Sequence, residues 1–308
     1  MAKYSELSET QVAEALALYG VRPKSVAHID GGAANTSYRV DCSDGSRIVL
    51  TVVDNAINLP ALTLARLLRY LDGHGVAVPA PLEGRNGALI ETFDGRPLLV
   101  KRFVAGECFQ VLPLKHVGAA GAALAKVHAV TAPDWLPTGS RRLPDVSATL
   151  KQFGDEEFAA WVTDRIDETR TALHVSLPQG IVHGDYFTDN LAVDPDGKIG
   201  ILDWETASRD AVLLDLGFAV VGLVRVAGTL GLDRAQTFID GYRMERKLTD
   251  DEVGYLRDAV IYAATYLGYR RYERHHIRYP NPTKQDLFKE MPRFVESLRA
   301  GWPALTLE

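Results

Sequence analysis

Residues 181–205 read Ile-Val-His-Gly-Asp-Tyr-Phe-Thr-Asp-Asn-Leu-Ala-Val-Asp-Pro-Asp-Gly-Lys-Ile-Gly-Ile-Leu-Asp-Trp-Glu. The polar skeleton is H-G-D-x-x-x-x-N, from His183 to Asn190, followed by Asp203-Trp-Glu. Between the two lies Asp194-Pro-Asp-Gly, a tight-turn composition. The apolar runs 191–193 and 199–202 flank that turn as short strands. A hairpin of this length returns the chain, so Asp203 is expected beside Asn190.

The skeleton is similar to that of protein kinases, which carry H-R-D-x-x-x-x-N followed by D-F-G. With Gly184 and the D-W-E ending, it resembles more closely the aminoglycoside phosphotransferase and choline kinase superfamily of small-molecule kinases. The resemblance runs from about residue 25 to about residue 225. It implies phosphoryl transfer, which asks a protein for positioning and charge neutralisation rather than covalent chemistry. Asp185 is then the catalytic carboxylate that meets the attacking hydroxyl. Asn190 and Asp203 supply hard oxygen ligands for Mg²⁺ on ATP. His183 supports the loop.

Upstream, Val26–Asp30 and Tyr38–Asp41 read as strands around Gly31-Gly-Ala-Ala-Asn-Thr-Ser. Strand, glycine-rich turn, strand is the layout of a loop that covers phosphates. Its glycines allow close approach and its N–H groups meet phosphate oxygens. Gly31, Gly32, Asn35, Thr36 and Ser37 are therefore candidate nucleotide contacts. The stretch also resembles the G-x-x-N-[ST]-x-[YF] loop of the homoserine kinase branch. The next strand, Arg47–Val53, has Thr51 where most kinases of this class carry a phosphate-holding lysine, and the helix at 59–71 has no glutamate to pair with one. Thr51 is read as the residue facing the phosphates. The homoserine kinase branch is similar here, and Gly75-Val-Ala-Val-Pro-Ala-Pro resembles its G-[VI]-P-V-P-x-P element.

A hairpin at 90–104 leads into the position of a kinase hinge, where backbone groups at Lys101 and Phe103 are expected to meet the adenine edge. His128 reads as a structural histidine. Residues 131–145 read as loop, and 146–173 as one long helix or two. Asp215, a lone acid on the apolar helix 210–226, needs a partner; the family pattern makes it a brace for the catalytic loop. Asp189, Glu205 and Asp210 are candidates to hold an amine on the acceptor, Glu205 also to help with Mg²⁺. The arginines at 270–278, interleaved with tyrosines, are candidates for an acceptor carboxylate.

With 308 residues, the chain suits two lobes rather than one core. Its 46% hydrophobic and 24% charged residues are those of an ordinary globular protein. A formal net charge of −6 argues against a nucleic-acid partner. Two cysteines, Cys42 and Cys108, make no disulfide framework. Met1–Thr10 is polar, unlike a signal peptide, and no run of about 18 apolar residues suggests a membrane span. A cytoplasmic protein is expected.

The expected fold is α+β, a two-lobe protein-kinase-like structure. Residues 1–100 form a small antiparallel β lobe with one main helix, 101–107 the hinge, and 108–308 a mainly helical lobe topped by the catalytic hairpin. ATP is expected between the lobes. The acceptor is a small molecule with a hydroxyl, homoserine leading. An aminoglycoside or other antibiotic, or choline or ethanolamine, stands second. A nucleotide-binding protein without turnover, suggested by the missing lysine, stands third.

Overall fold

The computed structural model describes residues 6–29, 35–53, 59–139, 141–174 and 176–307. The first elements are α1 (Glu9–Ala17), β1 (Pro23–Ile29), β2 (Thr36–Cys42), β3 (Arg47–Val52), α2 (Ala61–Gly73), β4 (Glu91–Phe93) and β5 (Arg96–Arg102). Then come α3 (Leu114–Ala129), α4 (Ser147–Leu150), α5 (Glu156–Glu168), α6 (Arg170–His174), β6 (Gln179–Val182), β7 (Leu191–Val193) and β8 (Ile199–Ile201). The rest are β9 (Ser208–Ala211), α7 (Val212–Leu223), β10 (Arg225–Val226), β11 (Thr229–Leu230), α8 (Leu232–Glu245), α9 (Asp250–Tyr272) and α10 (Glu290–Gly301). No helix among the described residues is long and apolar enough to cross a membrane.

The chain divides into two compact units, residues 1–107 with 192–206, and residues 108–191 with 207–308. The segment 192–206, read with the helical lobe from sequence, clusters with the first unit. Its backbone explains this. Glu107 and Val193 exchange N–H···O bonds of 2.9 and 3.0 Å, and Ile201 N–H reaches Ala77 O at 2.8 Å.

The first unit is an antiparallel five-stranded sheet in the order β1-β2-β3-β5-β4. The period-2 alternation of strands sorts its residues onto two faces. Tyr38, Val40, Ile48, Leu50, Val52, Leu98 and Val100 fall on one face and share a core with Val12, Ala15 and Leu16 of α1. That helix starts as read: Ser8 Oγ accepts Gln11 N–H, and Gln11 Oε1 accepts Ser8 N–H, a capping box. The register pairs Ser37 with Thr51, Thr51 with Leu99, Arg39 with Val49, and Val49 with Lys101. Ser37, Thr51 and Lys101 therefore share the face opposite that core.

The second unit is mainly helical. Helices α3 and α8 cross at glycine, so their backbones meet closely: a Cβ on Gly241 would stand 2.0 Å from Gly118 O, and one on Gly121 2.1 Å from Phe238 O. The segment read as one helix or two is three. Asp155 caps α5 through Phe158 N–H, which starts a new helix after Gly154. Tyr269 and Tyr272 stack with Phe153, beside Phe158 and Phe288, so most of the aromatic stretch of α9 is core.

Candidate active site

In the second unit, β6 ends at Val182 and hands over to His183-Gly-Asp. The turn needs glycine, because residue 184 sits at φ 78°. Asp215, in the first turn of α7, holds the turn by its backbone. Its Oδ2 accepts His183 N–H at 2.7 Å and its Oδ1 accepts Gly184 N–H at 2.8 Å. His128 Nε2 lies 3.1 Å from the same Oδ2, and His128 Nδ1 lies 2.8 Å from Tyr242 Oη. The network assigns Nε2–H as donor to the carboxylate and Nδ1 as acceptor from the phenol. Burial pushes the Asp215 carboxyl up, but the hydrogen bonds from the His128 ring and the His183 backbone N–H outweigh it, leaving the carboxyl below its ordinary value.

Asp185 N–H donates to His183 Nδ1 at 3.1 Å, so that ring nitrogen is an acceptor engaged within the turn. Tyr186, fully buried, donates to Ala120 O at 2.8 Å and pins the loop to α3. Asn190 Nδ2 donates to Asp185 O at 2.8 Å and to Asp185 Oδ2 at 3.2 Å. Both partners are acceptors, which identifies the nitrogen and leaves Asn190 Oδ1 as an acceptor for a cation.

Arg141 completes this half. Its guanidinium donates to Asp185 Oδ1 at 3.0 Å and, through Nε, to Gly184 O. It lies over the Tyr266 ring, 5.8 Å from the centroid. Sequence reasoning missed Arg141, which sits in a stretch read only as loop; the Arg141-Arg142 doublet was its one signal. Arg142 grips Asp210 through Nε, at 3.1 and 3.0 Å to its two oxygens, and through a terminal nitrogen at 2.6 Å. That carboxylate, buried and so committed, is not disposed toward an acceptor amine. Asp189 is exposed. The arginines read as carboxylate binders are also engaged: Arg270 and Arg278 with Glu273, Arg271 with Glu290.

In the first unit, Gly31 and Gly32 lie outside the described residues. Asn35 Nδ2 donates to Glu205 Oε1 at 2.8 Å, and the Ser37 and Thr51 hydroxyls stand 3.1 Å apart. Thr36 is buried in β2. Asp203 takes the left-handed conformation at φ 52°, uncommon for a residue other than glycine but one that aspartate tolerates better than most. Trp204 beside it is buried, its indole N–H on Ile201 O at 2.9 Å. Lys101 and Phe103 differ from the hinge reading. Phe103 N–H is bonded to Arg47 O at 3.1 Å, and Lys101 bridges Val49 on one side and Pro81 on the other. The Lys101 backbone and the Phe103 N–H are thus engaged by the sheet.

Each unit offers an oxygen donor of the kind a hard divalent cation takes, the Asp203 carboxylate in the first and the Asn190 amide oxygen in the second. Among the described residues no three His, Cys, Asp or Glu gather as a closed metal cage. Mg²⁺ characteristically takes one or two protein ligands and fills the rest with phosphate and water.

The family described as the phosphotransferase enzyme family, APH, matches residues 25–249. The chain belongs to this family. This phosphotransferase is 27% identical to a homoserine kinase of Paramagnetospirillum magneticum over 82% of each chain. It is 30% identical to a homoserine kinase of Methylobacillus flagellatus over 73% of this chain and 72% of that one. Among solved structures, a microcompartment-associated aminopropanol kinase shares its fold at a TM-score of 0.75, with 21% identity over 98% of this chain and all of that one. Amicoumacin kinase hAmiN, in complex with AMP-PNP, Ca²⁺ and Ami, does so at 0.72, with 18% identity over 94% and 93%. The kinase-like α+β fold read from the sequence is the fold observed, and the phosphotransferase is an ATP-dependent small-molecule kinase acting on a hydroxyl.

Proposed function

We propose that this phosphotransferase moves the γ-phosphoryl group of ATP, with Mg²⁺, to the side-chain hydroxyl of a small amino acid, L-homoserine first. The observation that carries the amino-acid reading is Arg141. Its guanidinium stands 3.0 Å from the Asp185 carboxylate, and its side chain is about one-fifth exposed. A cation fixed beside the carboxylate that meets the hydroxyl suits an acceptor with a carboxylate of its own. Choline and ethanolamine have no such group. The relatives named homoserine kinase support the same reading.

In this mechanism Asp185 accepts a hydrogen bond from the acceptor hydroxyl and aims its oxygen at the γ-phosphorus. The new O–P bond forms as the bond to the β-phosphate oxygen breaks. The hydroxyl proton passes late to Asp185, and ADP leaves. Asn190 and Arg141 hold Asp185 in its rotamer, and Asp215 holds the turn that carries it. Asn190 Oδ1 and Asp203 would be the protein ligands of the metal. A bound Mg²⁺ supplies charge neutralisation at the phosphate oxygens.

Steady-state kinetics with L-homoserine, its methyl ester, choline, ethanolamine and aminoglycosides test the proposal. L-homoserine is to give kcat/KM of about 10⁴ M⁻¹s⁻¹ or more. The ester, without the carboxylate charge, is to show a KM raised about tenfold. Turnover of choline or an aminoglycoside with none of homoserine would overturn the acceptor and leave the kinase standing.

A further inference from the structure

This inference rests on the kinase reading of the site and concerns the cation that reading lacks. The β3 position of the phosphate-holding lysine is Thr51, its hydroxyl against Ser37, and α2 offers no glutamate. One strand over, β5 runs antiparallel to β3. Thr51 faces Leu99 and Val49 faces Lys101, so Lys101 is the diagonal neighbour of Thr51 on the same face. Diagonal neighbours of an antiparallel pair lie about 7–8 Å apart. A lysine stem spans that distance.

The surroundings of Lys101 are those of a functional ammonium. Its side chain is half-buried, and among the described residues no hydrogen bond holds it. Burial pushes the ammonium down from its ordinary value, and the Glu205 and Asp203 carboxylates oppose this. Glu205 is anchored on Asn35, two residues before Ser37, at 2.8 Å. Asn35, Glu205, Lys101 and Asp203 all belong to the first unit, and Asn35, at the head of β2, ties Glu205 to the sheet that carries Lys101.

We infer that Lys101, oriented by Glu205, grips the α- and β-phosphate oxygens of the nucleotide, replacing the ion pair that β3 and α2 lack. A lysine from the neighbouring strand supplies the charge, and a glutamate two residues past Asp203 supplies the brace. Glu205 is then a positioning residue for Lys101 rather than a holder of the acceptor amine. The side chain of Lys101 serves the phosphates, while its backbone serves the sheet.

Isothermal titration of the full chain with ATP, ADP and adenosine, in Mg²⁺, tests this without turnover. Lys101→Met is to weaken ATP and ADP about tenfold or more, with adenosine within about twofold of the unaltered chain. Unchanged adenosine binding also reports an intact site. Glu205→Gln keeps the lysine and is to weaken ATP and ADP in the same direction by several-fold, again sparing adenosine. ATP affinity within about twofold in Lys101→Met overturns the inference, and so does an equal loss for ATP and adenosine. Should Lys101→Met fail to fold, unchanged ATP affinity in Glu205→Gln overturns it. If the unaltered chain binds no ATP, the kinase reading falls and this falls with it; if it does, an unimpaired Lys101→Met sinks this inference alone.

Discussion

Asp215 Oδ2 accepts the backbone N–H of His183 at 2.7 Å, from a buried position 32 residues further along the chain. With Gly184 N–H on its other oxygen, one side chain fixes two consecutive peptide units of the turn that presents Asp185. A buried carboxylate is expensive unless its lone pairs are filled, and here His128 fills the remainder. The brace and the catalytic loop are therefore one cooperative unit.

Asp215→Asn should cost about 1–3 kcal/mol of stability, because the amide cannot accept at every site the carboxylate fills. Its folded-state carboxyl lies below the ordinary value, near 3.9 in an unfolded chain. The stabilisation is thus fully present above about pH 4 and is lost as the pH falls through the folded value. Calorimetric melts of both chains from pH 3 to 7 should show a constant gap in Tm between pH 5 and 7 that narrows below pH 4. A gap that widens on acidification would contradict this.

Asp185→Asn should keep nucleotide binding and lower kcat by roughly 10²–10⁴, the usual worth of a positioned base. The Asn190 bond to Asp185 O does not depend on the side chain, so the loop keeps its shape. Near-normal kcat with ordinary ATP affinity would remove Asp185 from the proton-accepting role.

Asp203→Ala should weaken Mg·ATP binding more than Asn190→Ala. The first removes a charged oxygen ligand and the second a neutral one. Titration of ATP with and without Mg²⁺ gives the order. Affinities in both variants equal to that of the unaltered chain would place the metal elsewhere.

Gly241→Ala and Gly121→Ala should each destabilise by about 1–3 kcal/mol, because the added methyl meets backbone that cannot turn aside. Gly254→Ala, within α9 and with nothing within 4 Å of an added Cβ, should instead stabilise by about 0.5–1 kcal/mol. Urea midpoints of the three variants decide it. A tolerated alanine at 241 would mean that the two helices separate readily.

Much of the site was legible because it is local. His183, Asp185 and Asn190 fall within eight consecutive positions, and turn chemistry alone brings them together. Short β-type runs and the Asp94-Gly95 turn announced β2, β3 and β5, and Ser8 with Gln11 announced the start of α1. The absence of a lysine at 51 was equally plain. What no local pattern carries is a partner far away in the chain. Arg141 meets Asp185 across 44 residues, and His128 meets Asp215 across 87. Arg142 takes Asp210 away from any acceptor across 68. Lys101 looked like hinge backbone because its strand was visible but its register was not; only pairing with Val49 turns its side chain onto the face of Thr51. Spacing along the chain dictates which groups a turn or strand presents. Which charges face one another follows from sheet register and helix packing, where burial makes an unmatched charge too costly to keep.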